Sequence, residues 1–184
     1  METLIKAKVV GGIGSLLFLP YLFPFFSFYD MIIRTVLIIF AMKYISDATN
    51  DRSIFNNGLL AMILITLGNI YAIIIIYDVG WAFPAYMMME IMRSGLFLSL
   101  FIVFDFFLIG AIYLVKSFDR IAELLNVNYF RIAAVLFFVG SMLTIVLIGF
   151  YIIMFAIIFM IIAFFSLPSK PAQKTSSLMP PIPI

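Results

Sequence analysis

The chain has 184 residues, 66% of them apolar and 11% charged, with a net charge of +2. A soluble domain carries about 25% charged residues, so the composition excludes a solvent-coated globule and predicts a polytopic, all-α integral membrane protein without a separate soluble domain. Cysteine and histidine are both absent, which removes disulfides, zinc-thiolate and iron–sulfur sites, thiol nucleophiles, the commonest general base and the usual haem ligand.

The first predicted span is about 9–27, "VVGGIGSLLFLPYLFPFFS", entered after Lys6 and Lys8. It runs on without a small-x-small cleavage site, so it reads as a membrane helix and not as a signal peptide. Pro20 and Pro24 disturb the backbone before a turn near Ser27 to Asp30. The "GGIGS" of residues 11–15 lacks the Lys-Ser/Thr ending of a phosphate loop; glycines that let helices approach closely explain it better. The second span is about 30–46. It contains Arg34, about one turn from the outer edge and at i+4 from Asp30, where a local pair with snorkelling is expected.

Residues 43–58, "KYISDATNDRSIFNNG", form a polar island between the second span and a third at about 58–77. Lys43 is placed as an interfacial anchor. Ser46, Asp47, Thr49, Asn50 and Asp51 are helix-capping and turn residues, as are Asn56 and Asn57 before Gly58. The island lacks the ligand spacing of a calcium loop, so a connection is expected there, with Asp47, Asp51, Arg52, Asn56 and Asn57 as its signature residues. The external segment 78–93 carries Trp81 and a Met87, Met88, Met89, Met92 cluster. It reads as an aromatic belt and lid with methionines filling gaps, ahead of a thioether copper site.

The fourth span, about 94–115, holds Asp105 in its middle. A carboxyl at that depth is costly and marks either a relay or a buried bond, with Arg34 and Asn69 as candidate neighbours. Residues 116–131 place Phe118, Ile121 and Leu125 on one helical face and Asp119, Arg120, Glu123 and Asn126 opposite, so an interfacial amphipathic helix is expected over about 117–128. The stretch 132–167 has no charge. One helix of that length would measure roughly 54 Å against a hydrocarbon core of about 30 Å. A break with Gly149 in the turn is therefore expected, giving spans at about 132–147 and 150–167. The Pro-rich tail 168–184 cannot pack a core and should be mobile.

Six spans, arranged as three hairpins, put both termini on one side. That side then holds Lys6, Lys8, Lys43, Arg52, Lys116, Arg120, Arg131, Lys170 and Lys174, against Arg34 and Arg93 on the other. The bias predicts cytoplasmic termini in the cell membrane. There is also an internal echo: "AKVVGGIGSLL" at 7–17 and "AAVLFFVGSML" at 133–143 suggest two related hairpins flanking a central one.

"KAKVVGGIGSLL", "MKYISDATNDRSIFNN" and the late "YFRIAAVLFFVGSMLTIV" with "IIAFFSLP" resemble an uncharacterised prokaryotic family of small multi-span membrane proteins, a domain of unknown function found largely in archaea. The resemblance covers most of residues 4–167, with none of it in 78–115. It implies the multi-span architecture and an archaeal origin, and it carries no activity or site residue with it.

The expected function is that of a non-enzymatic accessory or scaffold component of the membrane, in contact with lipids and with other membrane subunits or further copies of itself. No cofactor, metal or nucleic acid is expected. The alternative is a small ion- or proton-coupled transporter or channel using Asp105.

Overall fold

The computed structural model describes residues 2–18, 28–79, 96–144 and 148–169, and among these it contains six α-helices and no strand. They are α1 (Glu2–Leu16), α2 (Phe28–Thr49), α3 (Arg52–Val79), α4 (Leu96–Leu125), α5 (Asn128–Met142) and α6 (Ile148–Phe165). Two stretches, Arg52–Ile74 in α3 and Phe101–Leu125 in α4, are long and apolar enough to cross a membrane. Asn128–Met142 and Tyr151–Phe165 are shorter apolar helices. Fifteen helical residues measure about 22 Å.

Several boundaries differ from those read off the sequence. The first helix starts at Glu2, well before residue 9, and its i,i+4 Lys6–Glu2 ion pair at 2.8 Å supports that first turn. α2 and α3 run on into the polar island, which shrinks to Asn50 and Asp51. Thr49 lies in the last turn of α2 and donates its hydroxyl back to the Ile45 carbonyl at 2.8 Å, so its side chain is not used as a cap for α3. No separate helix covers 117–128 among the described residues. α4 continues unbroken to Leu125, and Phe118, Ile121 and Leu125 are buried. They prolong the stripe of Val103, Phe107, Ala111 and Leu114 in helical phase, so the apolar face packs inward and does not lie on an interface. The expected break in 132–167 falls between Met142 and Ile148, and the Gly149 backbone N–H closes it by donating to the Leu143 carbonyl at 3.1 Å. Gly149 lies in the first turn of α6, and a Cβ there would overlap the Gly140 carbonyl oxygen. The glycine pair is thus a close helix crossing.

Every consecutive pair of helices packs together, and α1 packs on α6, so the six close into a ring. Its centre is filled by aromatic side chains. Phe118 and Phe130 meet edge-to-face with centroids 5.1 Å apart, and Phe130 meets Phe164 in the same way at 5.1 Å. A small cavity of about 20 Å³ beside them is lined by apolar residues including Phe18, Met62, Leu114, Phe137 and Met160.

The internal echo extends to the central hairpin. "AKVVGGIGS" (7–15), "AMILITLGN" (61–69) and "AAVLFFVGS" (133–141) share an alanine, six residues, then glycine and a small polar residue. Ala7, Ala61 and Ala133 are all buried, as are Gly14, Gly68 and Gly140. The polar residue closes the same local bond each time. Ser15 donates to the Gly11 carbonyl, Asn69 to that of Ile65 and Ser141 to that of Phe137, each at 2.8 Å. The second helices match as well: Met31, Phe107 and Ile157 are buried, and one turn and two turns on so are Arg34, Gly110 and Met160, then Ile38, Leu114 and Phe164. The connectors α2–α3 and α4–α5 both turn on an asparagine in the left-handed region, Asn50 at φ 54° and Asn126 at φ 55°, a conformation asparagine tolerates better than most side chains. The ring is therefore one helical hairpin pattern used three times.

Candidate functional site

The sequence offered two candidate polar sites, one inside the span region and one at the connectors. The first is not gathered around Asp105. Asp105 lies on the exposed face of α4, away from the central cavity and with no described partner. Arg34 is 2% exposed and faces inward, with its guanidinium carbon 4.4 Å from the centroid of the Phe18 ring. The expected snorkelling is thus replaced by a cation–π contact in the bundle. The reason is its register. Arg34 shares the buried face of α2 with Met31, Thr35 and Ile38, so reaching the interface would require leaving that face. Asp30 is half-buried, one turn before Arg34 on the same helix. Asn69 is buried and bonds its own helix at Ile65. A short polar seam does join α2 and α3, where the Thr35 and Thr66 hydroxyls are 3.0 Å apart.

The connector end does assemble. Asp51 precedes the first turn of α3 and caps it, since its Oδ1 accepts from the Ser53 backbone N–H at 2.9 Å and from the Ser53 hydroxyl at 2.6 Å. Its Oδ2 accepts from Arg120 Nε at 2.7 Å. The serine bonds first, then the guanidinium, hold the Asp51 carboxyl below its ordinary value, and the carboxylates of Asp51 and Glu123 raise the Arg120 value in turn. Arg120 also reaches Glu123 at 3.0 Å, and Arg131 pairs with Asp119 at 3.1 Å. Ser46 donates to the Asp51 carbonyl at 2.8 Å, and Ser117 donates to that of Ile54 at 2.8 Å from within α4. The start of α3 is thereby fastened to both neighbouring helices.

Of the signature residues, only Asp51 enters this network. Asp47, Arg52 and Asn56 are exposed and Asn57 is half-buried. Lys43 lies over the Phe55 ring at 5.7 Å. Both Asp51 oxygens are engaged by side chains of this protein, so the arrangement works as a clasp between helices. No group of three or more acidic ligands gathers among the described residues. The Trp81 belt, the Met87–Met92 cluster, Pro20, Pro24 and most of the Pro-rich tail lie outside the described residues. Reading the sequence missed the Arg120–Asp51 clasp, because nothing local to either segment signals a partner so far along the chain. It also missed that the central hairpin shares the echo of the two flanking ones, for which the recurring Ala-x6-Gly-Ser/Asn spacing was an available signal.

Comparison with known proteins gives two matches. The model of a family described as a protein of unknown function (DUF996) matches residues 31–158. The uncharacterized protein MJ1644 of Methanocaldococcus jannaschii is 30% identical over 173 residues, which covers 89% of this chain and 92% of that protein. No solved structure matches the chain.

Proposed function

The chain belongs to the DUF996 family, and from that premise we propose that it is a non-enzymatic accessory or scaffold component of the cytoplasmic membrane. In this reading all six helices cross the bilayer as three hairpins, with both termini in the cytoplasm. The observation that carries it is the division of the surface. The middles of the helices point apolar side chains outward, among them Ile33, Ile63, Ile109, Val135 and Phe155. The ion pairs of Asp51, Arg120, Glu123, Asp119 and Arg131 sit at the helix ends joined by the two connectors. A surface of this kind suits lipid on its flanks and water at its ends. The bias of basic residues toward the same end supports a cytoplasmic orientation.

The packing of the centre favours this over transport. A pathway through the ring would bring Asp105 and other polar groups to a shared cavity, whereas the central cavity is apolar and Asp105 is on the outside. Two measurements test the proposal. The chain has no cysteine, so single cysteines placed near each terminus and treated with a membrane-impermeant maleimide should both stay unlabelled in intact cells. Labelling of one terminus alone overturns the six-span arrangement. Mild detergent extraction should retain a bound protein subunit; recovery of a lone monomer overturns the accessory role.

A further inference from the structure

We propose that the outward face of α4 is a contact between two copies of this chain, in which Asp105 of one copy hydrogen-bonds Asp105 of the second across a twofold axis. The inference rests on the membrane reading above and names the partner for one of its lipid-facing surfaces.

Asp105 lies eleven residues before Lys116, about 16 Å along the helix axis, and so near the middle of the bilayer. It is exposed, and no hydrogen bond or ion pair engages it among the described residues. A carboxyl group pointing into hydrocarbon has neither water nor protein to bond, and acids at that depth pair with one another or with backbone. The hairpin pattern shows how unusual the residue is. Its counterparts in the other second helices are Tyr29, 75% exposed, and Phe155, 60% exposed. The outward position is otherwise filled by an aromatic ring. Because α4 already packs against both α3 and α5 in the closed ring, its remaining face is turned away from the rest of the bundle.

The chemistry of that face selects a second copy. Leu98, Asp105 and Ile112 recur every seven residues, with Ile109 between them, and the three apolar residues are exposed. This is the spacing of a two-helix seam, in which a single polar residue fixes the register. A carboxyl group that carries its proton offers both donor and acceptor, so in that form it is self-complementary, and a twofold axis sets a residue opposite its own copy. Charge complementarity argues against a skewed contact between copies. The cation nearest in depth, Arg34, is buried against Phe18 and cannot reach a neighbour.

The cysteine-free chain makes the test direct. Ile109→Cys and Ile112→Cys, oxidised in native membranes, should each yield a species of twice the 20.9 kDa chain mass. Ile63→Cys on α3 and Val135→Cys on α5, equally exposed, should stay monomeric. In the Ile109→Cys background, Asp105→Leu should weaken dimerisation about tenfold, the scale of one hydrogen bond between membrane helices. Asp105→Asn keeps a donor and an acceptor and should retain most of the crosslink. The proposal is overturned if positions 109 and 112 crosslink no better than 63 and 135, if they crosslink to a protein of different mass, or if Asp105→Leu leaves the dimer intact. Alkaline carbonate extraction of the same membranes reads the premise separately. A chain released by carbonate refutes the membrane reading, and a chain retained yet never crosslinked refutes the dimer alone.

Discussion

Two seams of the ring are held together in different ways. Where α5 crosses α6, backbone meets backbone. Gly140 and Gly149 face each other, and a Cβ on Gly140 would lie 2.7 Å from Ile153 Cγ1 and 3.0 Å from the Gly149 carbonyl oxygen. Where α3 meets α4 at the connector end, side chains form the joint, through Asp51, Arg120 and Ser117. In the membrane reading proposed above, the contrast follows from the surroundings. A membrane offers no hydrophobic drive for helices to associate, so the buried seam would depend on close packing permitted by small residues. At the end exposed to water, polar groups can be engaged at little desolvation cost, but each contributes little.

The largest expected effect therefore belongs to the glycine seam. Gly149→Leu places its side chain into the Gly140 backbone, where no rotamer can relieve the overlap. It should destabilise the bundle by about 3 kcal/mol or more, at or beyond the upper end of overpacking costs. Thermal unfolding in detergent would read this as a loss of the folded species. A near-normal midpoint would show that α5 and α6 are not in contact there.

The polar seam should respond less. Asp51→Ala removes a helix cap, an effect of about 1 kcal/mol, and with it a half-exposed ion pair worth about 0–1 kcal/mol. A loss of about 1–2 kcal/mol is expected from unfolding midpoints, with Arg120→Ala costing less than Asp51→Ala. If Arg120→Ala costs more, the guanidinium holds the seam by packing instead of by charge. Smaller still are Ser15→Ala and Ser141→Ala, whose hydroxyls only bond their own helix one turn back. Each should change stability by no more than about 0.5 kcal/mol. The two should also agree with each other, since they occupy the same place in two hairpins. A large difference between them would break that equivalence.

These seams also mark what could be read without a structure. The helices were legible because long apolar runs separated by polar islands leave few alternatives, and the "GGIGS" glycines were rightly assigned to helix contacts. The 116–131 segment was misread for a physical reason. An amphipathic stripe looks the same whether it lies against lipid headgroups or against neighbouring helices, and only the phase shared with Val103 and Phe107 distinguishes the two. Gly149 was placed at the break, which its N–H closes, but not at the helix crossing, because glycine serves equally in turns and at tight crossings. Asp105 was found by its charge, but which face of α4 it occupied depended on the register of the whole helix. Asp51 and Arg120 are far apart in sequence, and their meeting depends on how the ring closes.

The finest probe of the connector is its acid dependence. Ser53, and after it Arg120, hold the folded Asp51 carboxyl below its ordinary value. A group depressed in this way contributes stability that is fully present above its unfolded value, about pH 4 for aspartate, and loses it as the pH falls through the lower folded value. The stability difference between the native chain and Arg120→Ala should therefore stay constant through the neutral range. It should narrow only below about pH 4 as the carboxyl takes up its proton. Because Arg120 is largely in water, added salt should narrow the same difference at neutral pH. Ser53→Ala removes the larger of the two causes and should bring the acid transition up toward the ordinary carboxylate value. Unfolding midpoints measured against pH for the three proteins separate the two contributions. If the gap between the native chain and Arg120→Ala survives full protonation of the carboxyl, the clasp owes its strength to Glu123 or to packing, and the charged seam differs less from the glycine seam than the geometry implies.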